Sequence, residues 1–278
     1  MSGSDASARR FPLALDKVSK TTPGSAGAKR TLLRPQLHMQ QAAEHAARQT
    51  APTGLGLDSA GVRQRLVQRL QQDGLRDERV LQALNSVPRH LFVDSALATQ
   101  AYEDTSLPIG HGQTISKPSV IGRMIALLFG GASAQRGGDL GKVLEIGTGC
   151  GYQAAVLAAL AREVVSIERV RSLHDKALEN LASLRGRRIR LIYGDGQLGH
   201  RPNAPYDSII AAAGGDDLPA AWLAQLAPGG RLIAPMRQAI GQGQVLVVVD
   251  HVEENGVSRF VRNAYEAVHF VPLKSGIL

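Results

Sequence analysis

The sequence predicts an α/β fold: a doubly wound, mostly parallel sheet with an antiparallel C-terminal strand, preceded by a small helical segment. Three observations predict it. Short apolar runs alternate with helical patterns after residue 141, the length of 278 residues suits one large α/β domain, and 44% of the residues are hydrophobic. This apolar content excludes a wholly disordered chain. Because no apolar run approaches the roughly 18 residues of a membrane span, the sequence also excludes a transmembrane helix.

The first 60 residues differ in composition from the rest. They hold eight Lys/Arg against four Asp/Glu, half of the net charge of +8, and are rich in Ser, Ala and Gly. Such a segment is typical of a flexible, disordered leader without chemistry of its own. We therefore predict a leader at 1–60 and one domain at 61–278, made of a helical cap at 61–130 and an α/β core at 141–278.

The cap shows helical signals in order. Val62, Leu66 and Leu70 repeat at intervals of four, which predicts a first helix. Asp77 is a candidate cap for a second helix. The stretch 89–117 is dense in Gly, Pro and polar residues and is predicted to be irregular. A third helix follows at 118–129.

Strands and helices alternate in the core, which predicts a parallel sheet covered on both faces. The Asn255-Gly256 pair indicates a closing hairpin, so that one terminal strand runs antiparallel. The predicted strands are 142–147, 163–168, 188–194, 206–213, 230–236, 244–252 and 259–271, and the predicted helices are 153–161, 172–184 and 218–226.

A glycine run follows the first core strand. Gly147 and Gly149 permit a tight turn that lets a ligand approach the backbone. A dinucleotide fingerprint would need glycine where Tyr152 stands. Glu145 disfavours a pyrophosphate and favours a cation, such as the ammonium and sulfonium groups of S-adenosyl-L-methionine. An ordinary strand–helix turn remains the alternative.

Two further acids follow the next two strands. Glu168 is placed to accept hydrogen bonds from ribose hydroxyls, unless it is a surface acid paired with Arg169 or Arg171. Asp195, followed by Gly196, is placed to receive an adenine amino group, unless it belongs to a plain turn. Together with Glu145 these acids predict a class I S-adenosylmethionine-dependent methyltransferase.

A hydroxyl-rich segment precedes the third cap helix. Thr114, Ser116 and Ser119 surround Pro118, which is favoured in a first helical turn. A helix start offers unpaired N–H groups and partial positive charge, and therefore suits a carboxylate. The alternative is that Ser116 only caps the helix.

From about Val62 to its end, the chain resembles the protein-L-isoaspartate (D-aspartate) O-methyltransferase family. The narrowest matches are a Leu-Pro-Ile…Gln-Thr-Ile-Ser block and a closing Phe-Val-Pro-Leu. The segments that carry the resemblance are Val87-Pro88-Arg89, Phe92-Val93, Leu107-Pro108-Ile109-Gly110, Gln113-Thr114-Ile115-Ser116, Leu144-Glu145-Ile146-Gly147-Thr148-Gly149, Ser166-Ile167-Glu168-Arg169, Gly194-Asp195-Gly196, Pro205-Tyr206-Asp207 and Phe270-Val271-Pro272-Leu273.

The resemblance implies methyl transfer from S-adenosyl-L-methionine, without a metal, to the free carboxylate of L-isoaspartyl and D-aspartyl residues in damaged proteins. It implies that Ser116 is the active-site serine, that Thr114 and Ser119 line the pocket beside the methyl donor, and that Lys274 contributes to it. The remaining donor-binding residues implied are Glu145, Gly147, Gly149, Glu168, Asp195 and Gly196. We expect a monomer that binds neither nucleic acid nor membrane. A single cysteine and no recognisable signal peptide predict a cytoplasmic location.

The chain departs from the family pattern at three places. Cys150 stands where Ser is usual, Lys117 replaces a common Gln, and Gly214-Gly215-Asp216-Asp217 replaces Thr-Ala-Ala-Pro-Pro, which predicts a looser loop. Two alternatives stay open. The basic charge and the Arg185-Gly186-Arg187-Arg188 cluster favour a nucleic-acid methyltransferase, and the altered loop favours a donor-binding module with weak or altered activity.

Overall fold

The computed structural model describes residues 60–182, 184, 188–238 and 243–278. The predicted leader, except for Ala60, and Arg185-Gly186-Arg187 of the basic cluster lie outside these residues. The described helices are α1 (Ala60–Gln72), α2 (Glu78–Ser86), α3 (Pro118–Leu128), α4 (Ala132–Gly137), α5 (Tyr152–Leu157), α6 (Arg171–Leu181) and α7 (Ala220–Gln225). The described strands are β1 (Leu107–Gly110), β2 (Gln113–Ile115), β3 (Lys142–Ile146), β4 (Glu163–Glu168), β5 (Ile189–Tyr193), β6 (Tyr206–Ala211), β7 (Leu226–Arg237), β8 (Gln244–Glu254) and β9 (Val257–Val268).

The cap helices begin as their sequences predict. Asp77 caps α2 by accepting hydrogen bonds from the backbone N–H groups of Arg79 and Val80. Pro118 stands in the first turn of α3, and the residue before it, Lys117, makes no side-chain capping bond. Ser116 therefore does not cap α3, and its hydroxyl can form a hydrogen bond with a ligand.

The predicted doubly wound sheet is confirmed. Its strand order is β5-β4-β3-β6-β7-β8-β9. The first five strands in this order are parallel, and β8 runs antiparallel to both β7 and β9. Asn255 and Gly256 link β8 to β9 with positive φ angles of 52° and 75°, the geometry that an Asn-Gly hairpin turn requires. The order reverses at β3, so a crevice opens between the carboxyl ends of β3 and β6.

Alternate residues of the central strands face two separate hydrophobic clusters. In β3, Val143 faces the cluster that contains the cap helices, whereas Leu144 faces the cluster that contains Trp222 of α7. In β6, Ile210 and Ile209 divide in the same way. The sheet is therefore buried on both faces, and its strand ends are held rigidly where the crevice opens.

The stretch predicted to be irregular contains regular elements: two short 3-10 helices, Arg89–Phe92 and Ser95–Gln100, and a hairpin. Strands β1 and β2 form a small antiparallel hairpin. Its tip consists of His111 and Gly112, with φ angles of 53° and 66°. The side chain of Ile109 in β1 lies so close to Gly149 that a Cβ added there would be 3.1 Å from it. The hairpin therefore packs over the glycine turn that follows β3.

Candidate functional site

A large cleft opens beyond the carboxyl ends of β3, β4 and β6. It encloses about 1050 Å³, measured out to its open mouth. Backbone and side chains of the glycine turn, the β1–β2 hairpin and residues 271–274 line it. We call it the main cleft. Its position at the reversal of strand order is where open α/β sheets bind ligands.

The glycine turn after β3 forms the floor of the main cleft. Gly147 and Gly149 have φ angles of 90° and 56°, a region that other residues rarely adopt. Gly196 is constrained by contact instead: a Cβ added there would lie 2.6 Å from the Ile146 side chain. All three predicted glycines line the same cleft. Positive φ disfavours a side chain at Gly147 and Gly149, and the close contact with Ile146 disfavours one at Gly196.

Glu168 lies at the end of β4 and also lines the main cleft. It is 5% exposed, and its two carboxylate oxygens accept hydrogen bonds from the backbone N–H groups of Gly149 (2.8 Å) and Val170 (2.9 Å). The guanidinium of Arg169 turns away, towards the carbonyls of Ser275 and Gly276. Glu168 is therefore not a surface acid paired with Arg169, and each oxygen keeps a lone pair for a ligand hydroxyl.

Asp195 follows β5 and holds the end of the chain. One oxygen accepts from Gln197 N–H at 2.8 Å, and the other accepts from Gly276 N–H at 2.6 Å. Residues 274–278, which we call the C-terminal strap, are also tied by backbone hydrogen bonds between Leu278 and both Arg169 and Arg171. Lys274 and Leu278 of the strap line the main cleft. The strap's contacts could not be predicted from the sequence, because its partners lie about 80 or more residues away along the chain.

Glu145 is fully buried and lies outside the lining of the main cleft. Its Oε2 accepts a hydrogen bond from Ser166 (2.5 Å), whose hydroxyl also bonds that of Thr148. Its Oε1 has no hydrogen-bond partner among the described residues. Burial raises the pKa of this carboxyl to about 8, so that the uncharged acid predominates at neutral pH. A cationic ligand in the cleft would favour the carboxylate and lower this pKa.

Ser116 and Thr114 stand between the main cleft and a second depression. This depression, the side groove, is lined by Ser106, Lys117, Val120, Ala212 and residues 267–271, besides Thr114 and Ser116 themselves. Both hydroxyl residues also line the main cleft. Ala212 and Val271 are shared by both cavities as well, so a ligand in the side groove and a ligand in the main cleft would meet beside Thr114 and Ser116.

The structure does not bring Ser119 to either cavity. Its hydroxyl donates to one oxygen of Asp104 at 2.7 Å, and its backbone N–H donates to the other at 2.8 Å. Asp104 thus binds the Ser119 N–H at the start of α3, one of the backbone donors predicted to bind a substrate carboxylate. Asp104 was missed because it lies in the segment predicted to be irregular, where no periodicity indicates which side chain turns towards α3.

The loop after β6 is held firmly, and the prediction of a looser loop is wrong. Gly214 exchanges backbone hydrogen bonds with Val271 and Leu273, and Gly215 does so with Pro235 and Arg237. A Cβ added at Gly214 would lie 2.3 Å from the Gln244 amide, which would have to move and give up its hydrogen bonds with the Phe270 backbone. The altered sequence is therefore a packed junction between β7 and residues 271–273.

Cys150 in the glycine turn is not an accessible nucleophile. It is 4% exposed, and burial raises the pKa of its thiol to about 11. Among the described residues, no cluster of three or more His, Cys, Asp or Glu residues could hold a metal ion. None of the described helices is long and apolar enough to cross a membrane.

The profile of the protein-L-isoaspartate(D-aspartate) O-methyltransferase family matches residues 61–277. The chain belongs to this family. The protein-L-isoaspartate O-methyltransferase of Methylibium petroleiphilum is 60% identical over 277 residues, which cover 99% of both chains. The namesake from Leptothrix cholodnii is 57% identical and aligns with 96% of this chain and 94% of its own.

Solved structures place the family in the same fold. A protein-L-isoaspartate O-methyltransferase superposes with a TM-score of 0.65 at 27% identity, covering 77% of this chain and 67% of its own. A Plasmodium falciparum structure, described as a protein-L-isoaspartate O-methyltransferase in complex with S-adenosyl-L-homocysteine, has a TM-score of 0.61 at 24% identity. It covers 76% of this chain and 97% of its own. Membership confirms the family resemblance that the Gln113–Ser116 block and the closing Phe-Val-Pro-Leu predict.

Proposed function

We propose that this chain methylates the free carboxylate of L-isoaspartyl and D-aspartyl residues in damaged proteins, with S-adenosyl-L-methionine as the donor. The products are a methyl ester and S-adenosyl-L-homocysteine. The ester closes spontaneously to a succinimide that partly reopens as normal aspartate, which makes the reaction a repair. The observation that carries the proposal is the place of Ser116, at the junction of the main cleft and the side groove.

The residues of the main cleft fit the donor. Glu168 lines the cleft, and its spare lone pairs suit ribose hydroxyls. Glu145 is fully buried next to the lining residue Ile146, so it would favour a cationic group through its charge and not by direct contact. Asp195 stands next to the lining residue Gly196 and keeps acceptor capacity beside Gly276, which suits an adenine amino group. The glycine turn leaves room for the ligand to lie against the backbone. When bound, the donor supplies a methyl group on a sulfonium, which is an excellent leaving group.

The side groove holds the acceptor, the isoaspartyl carboxylate of the substrate. An isoaspartyl carboxylate is ionised at neutral pH and needs no general base. Ser116 donates a hydrogen bond to this carboxylate and orients one oxygen towards the methyl carbon. That oxygen forms the new bond while the carbon–sulfur bond breaks and its electron pair stays on sulfur. Among the described residues no histidine or carboxylate bonds to the Ser116 hydroxyl, so the serine positions the acceptor and is not itself a nucleophile.

We assign this activity to residues 61–278, because the main cleft and the side groove are built from them. Buried Cys150 argues against the cytosine C5 chemistry of a nucleic-acid methyltransferase, which needs a reactive thiol. The packed loop at Gly214 and Gly215 argues against a weakened donor-binding module.

The experiment measures transfer of a labelled methyl group to three acceptors: an isoaspartyl peptide, the same peptide with normal aspartate, and RNA. We expect transfer to the isoaspartyl peptide alone. Equal transfer to both peptides, or transfer to RNA only, would contradict the proposal. Calorimetric binding of the donor with no transfer to any acceptor would instead support a donor-binding module.

A further inference from the structure

The side groove carries a single fixed charge. Lys117 is exposed and lines it, next to Ser116. No carboxylate is among the residues that line it; its other polar side chains are three hydroxyls and one imidazole, those of Ser106, Thr114, Ser116 and His269. The groove therefore presents a positive charge to anything that enters it.

No carboxylate of the described residues neutralises this charge. The Lys117 ammonium has neither an ion pair nor a hydrogen bond within the part of the chain that the structure describes. Asp104, at the start of the same helix, is occupied by Ser119. Glu266, next to the groove residue Ala267, is paired with Arg123 at 2.5 Å. A carboxylate from outside the chain is therefore the partner that this ammonium lacks.

The acceptor carboxylate is not that partner. In the proposed function Ser116 already donates a hydrogen bond to that carboxylate, and its other oxygen must stay free to attack the methyl carbon. The Cα atoms of Ser116 and Lys117 lie about 3.8 Å apart, and the flexible four-carbon stem of lysine lets its ammonium reach several ångströms from its own Cα. An extended peptide advances about 3.3 Å per residue, so the ammonium reaches residues one or two positions from the damaged aspartate.

On the basis of the proposed function, we propose that Lys117 is a specificity-determining residue that selects isoaspartyl sites with an acidic residue within two positions. A neighbouring Asp or Glu pairs with its ammonium while Ser116 holds the acceptor carboxylate. A neighbouring Lys or Arg is repelled. Because the pair is exposed to solvent, the preference is modest, about two- to fivefold in kcat/KM.

The test uses a set of isoaspartyl peptides with Glu, Gln or Lys at each of the four positions within two residues of the isoaspartate. kcat/KM is measured for the wild-type chain, for Lys117→Gln and for Lys117→Arg, at low and at high salt. At one or more positions we expect Glu to exceed Gln and Gln to exceed Lys. Lys117→Gln should bring these ratios to one, Lys117→Arg should keep them, and high salt should reduce them.

Three outcomes would overturn the inference. They are a wild-type Glu/Gln ratio at or below one at all four positions, a ratio that Lys117→Gln leaves unchanged, or a ratio that Lys117→Arg abolishes. The neutral Gln peptides test the proposed function separately. If they are methylated but show no charge preference, only the role of Lys117 fails. If no isoaspartyl peptide is methylated, the proposed function fails with it.

Discussion

The main cleft and the side groove meet at Ser116 but are built in opposite ways. The main cleft is formed from strand ends and glycine backbone, and the acids in it and beside it already hold internal partners: Glu168, in the lining, binds two N–H groups, and Asp195, next to the lining residue Gly196, binds the C-terminal strap. The side groove is formed largely from exposed and half-buried side chains, and Lys117 and Ser116 have no side-chain partners among the described residues.

This difference matches the two ligands. A donor that never varies is best met by a preorganised surface whose polar groups need no rearrangement on binding. Damaged aspartates occur in many sequences, so the acceptor side must tolerate variety around one common carboxylate. Free hydroxyls and a flexible lysine provide that tolerance. The contrast predicts that changes in the main cleft alter donor binding and stability, whereas changes in the side groove alter acceptor turnover and choice.

The largest expected effect concerns Glu145, below the main cleft. Its pKa rises from 4.5 in the unfolded chain to about 8 in the folded one, so between these values the folded state holds more protons. The free energy of unfolding is therefore highest below about pH 4.5. It falls as the pH rises to about 8, by on the order of 5 kcal/mol in all. Glu145→Gln, which stays neutral, should remove this decline. Denaturant unfolding of the donor-free chain from pH 5 to pH 9 measures it.

Lys117→Gln is the matched control, because it changes the exposed side groove and should leave the wild-type pH profile unaltered. Parallel profiles for wild type and Glu145→Gln would show that Glu145 is ionised throughout. In that case the main cleft would be a permanently charged site, and the contrast with the side groove would weaken.

The sequence predicted the main cleft better than the side groove, for a physical reason. Gly147, Glu168 and Asp195 each lie at the carboxyl end of a strand or within two residues of it, and parallel strands bring their carboxyl ends together without further information. The partners of Ser119 and Arg169 follow no such rule. Asp104 lies 15 residues before Ser119, and Gly276 lies 107 residues after Arg169. Such contacts depend on the path of irregular segments, which hydrophobic periodicity does not encode.

The second prediction separates two nearby serines. Ser116→Ala should lower kcat/KM for an isoaspartyl peptide about 100-fold, because the acceptor loses the hydrogen bond that orients it. The dissociation constant of the donor should stay within twofold, since the main cleft keeps its other contacts. Steady-state kinetics and calorimetry measure the two quantities.

Ser119→Ala is the matched control, since it also removes one hydroxyl but from a residue bound to Asp104. It should cost about 1 kcal/mol of stability and leave turnover nearly intact. A large loss of turnover in Ser119→Ala, with little in Ser116→Ala, would contradict the prediction. It would show that Ser119, and not Ser116 at the junction of the two cavities, holds the acceptor.

The third and smallest effect concerns the C-terminal strap. Arg169→Ala removes the hydrogen bonds to the carbonyls of Ser275 and Gly276, and should weaken donor binding about tenfold by freeing a wall of the main cleft. Deleting residues 275–278 should have a similar effect. Arg171→Ala is the control, since its guanidinium bonds Asp175 and lies over the Tyr193 ring without bonding the strap, while its backbone N–H, which bonds Leu278, is kept. If the KM for the isoaspartyl peptide rises in Arg169→Ala while donor affinity does not change, the strap serves the side groove, and the division of labour between the two cavities is wrong.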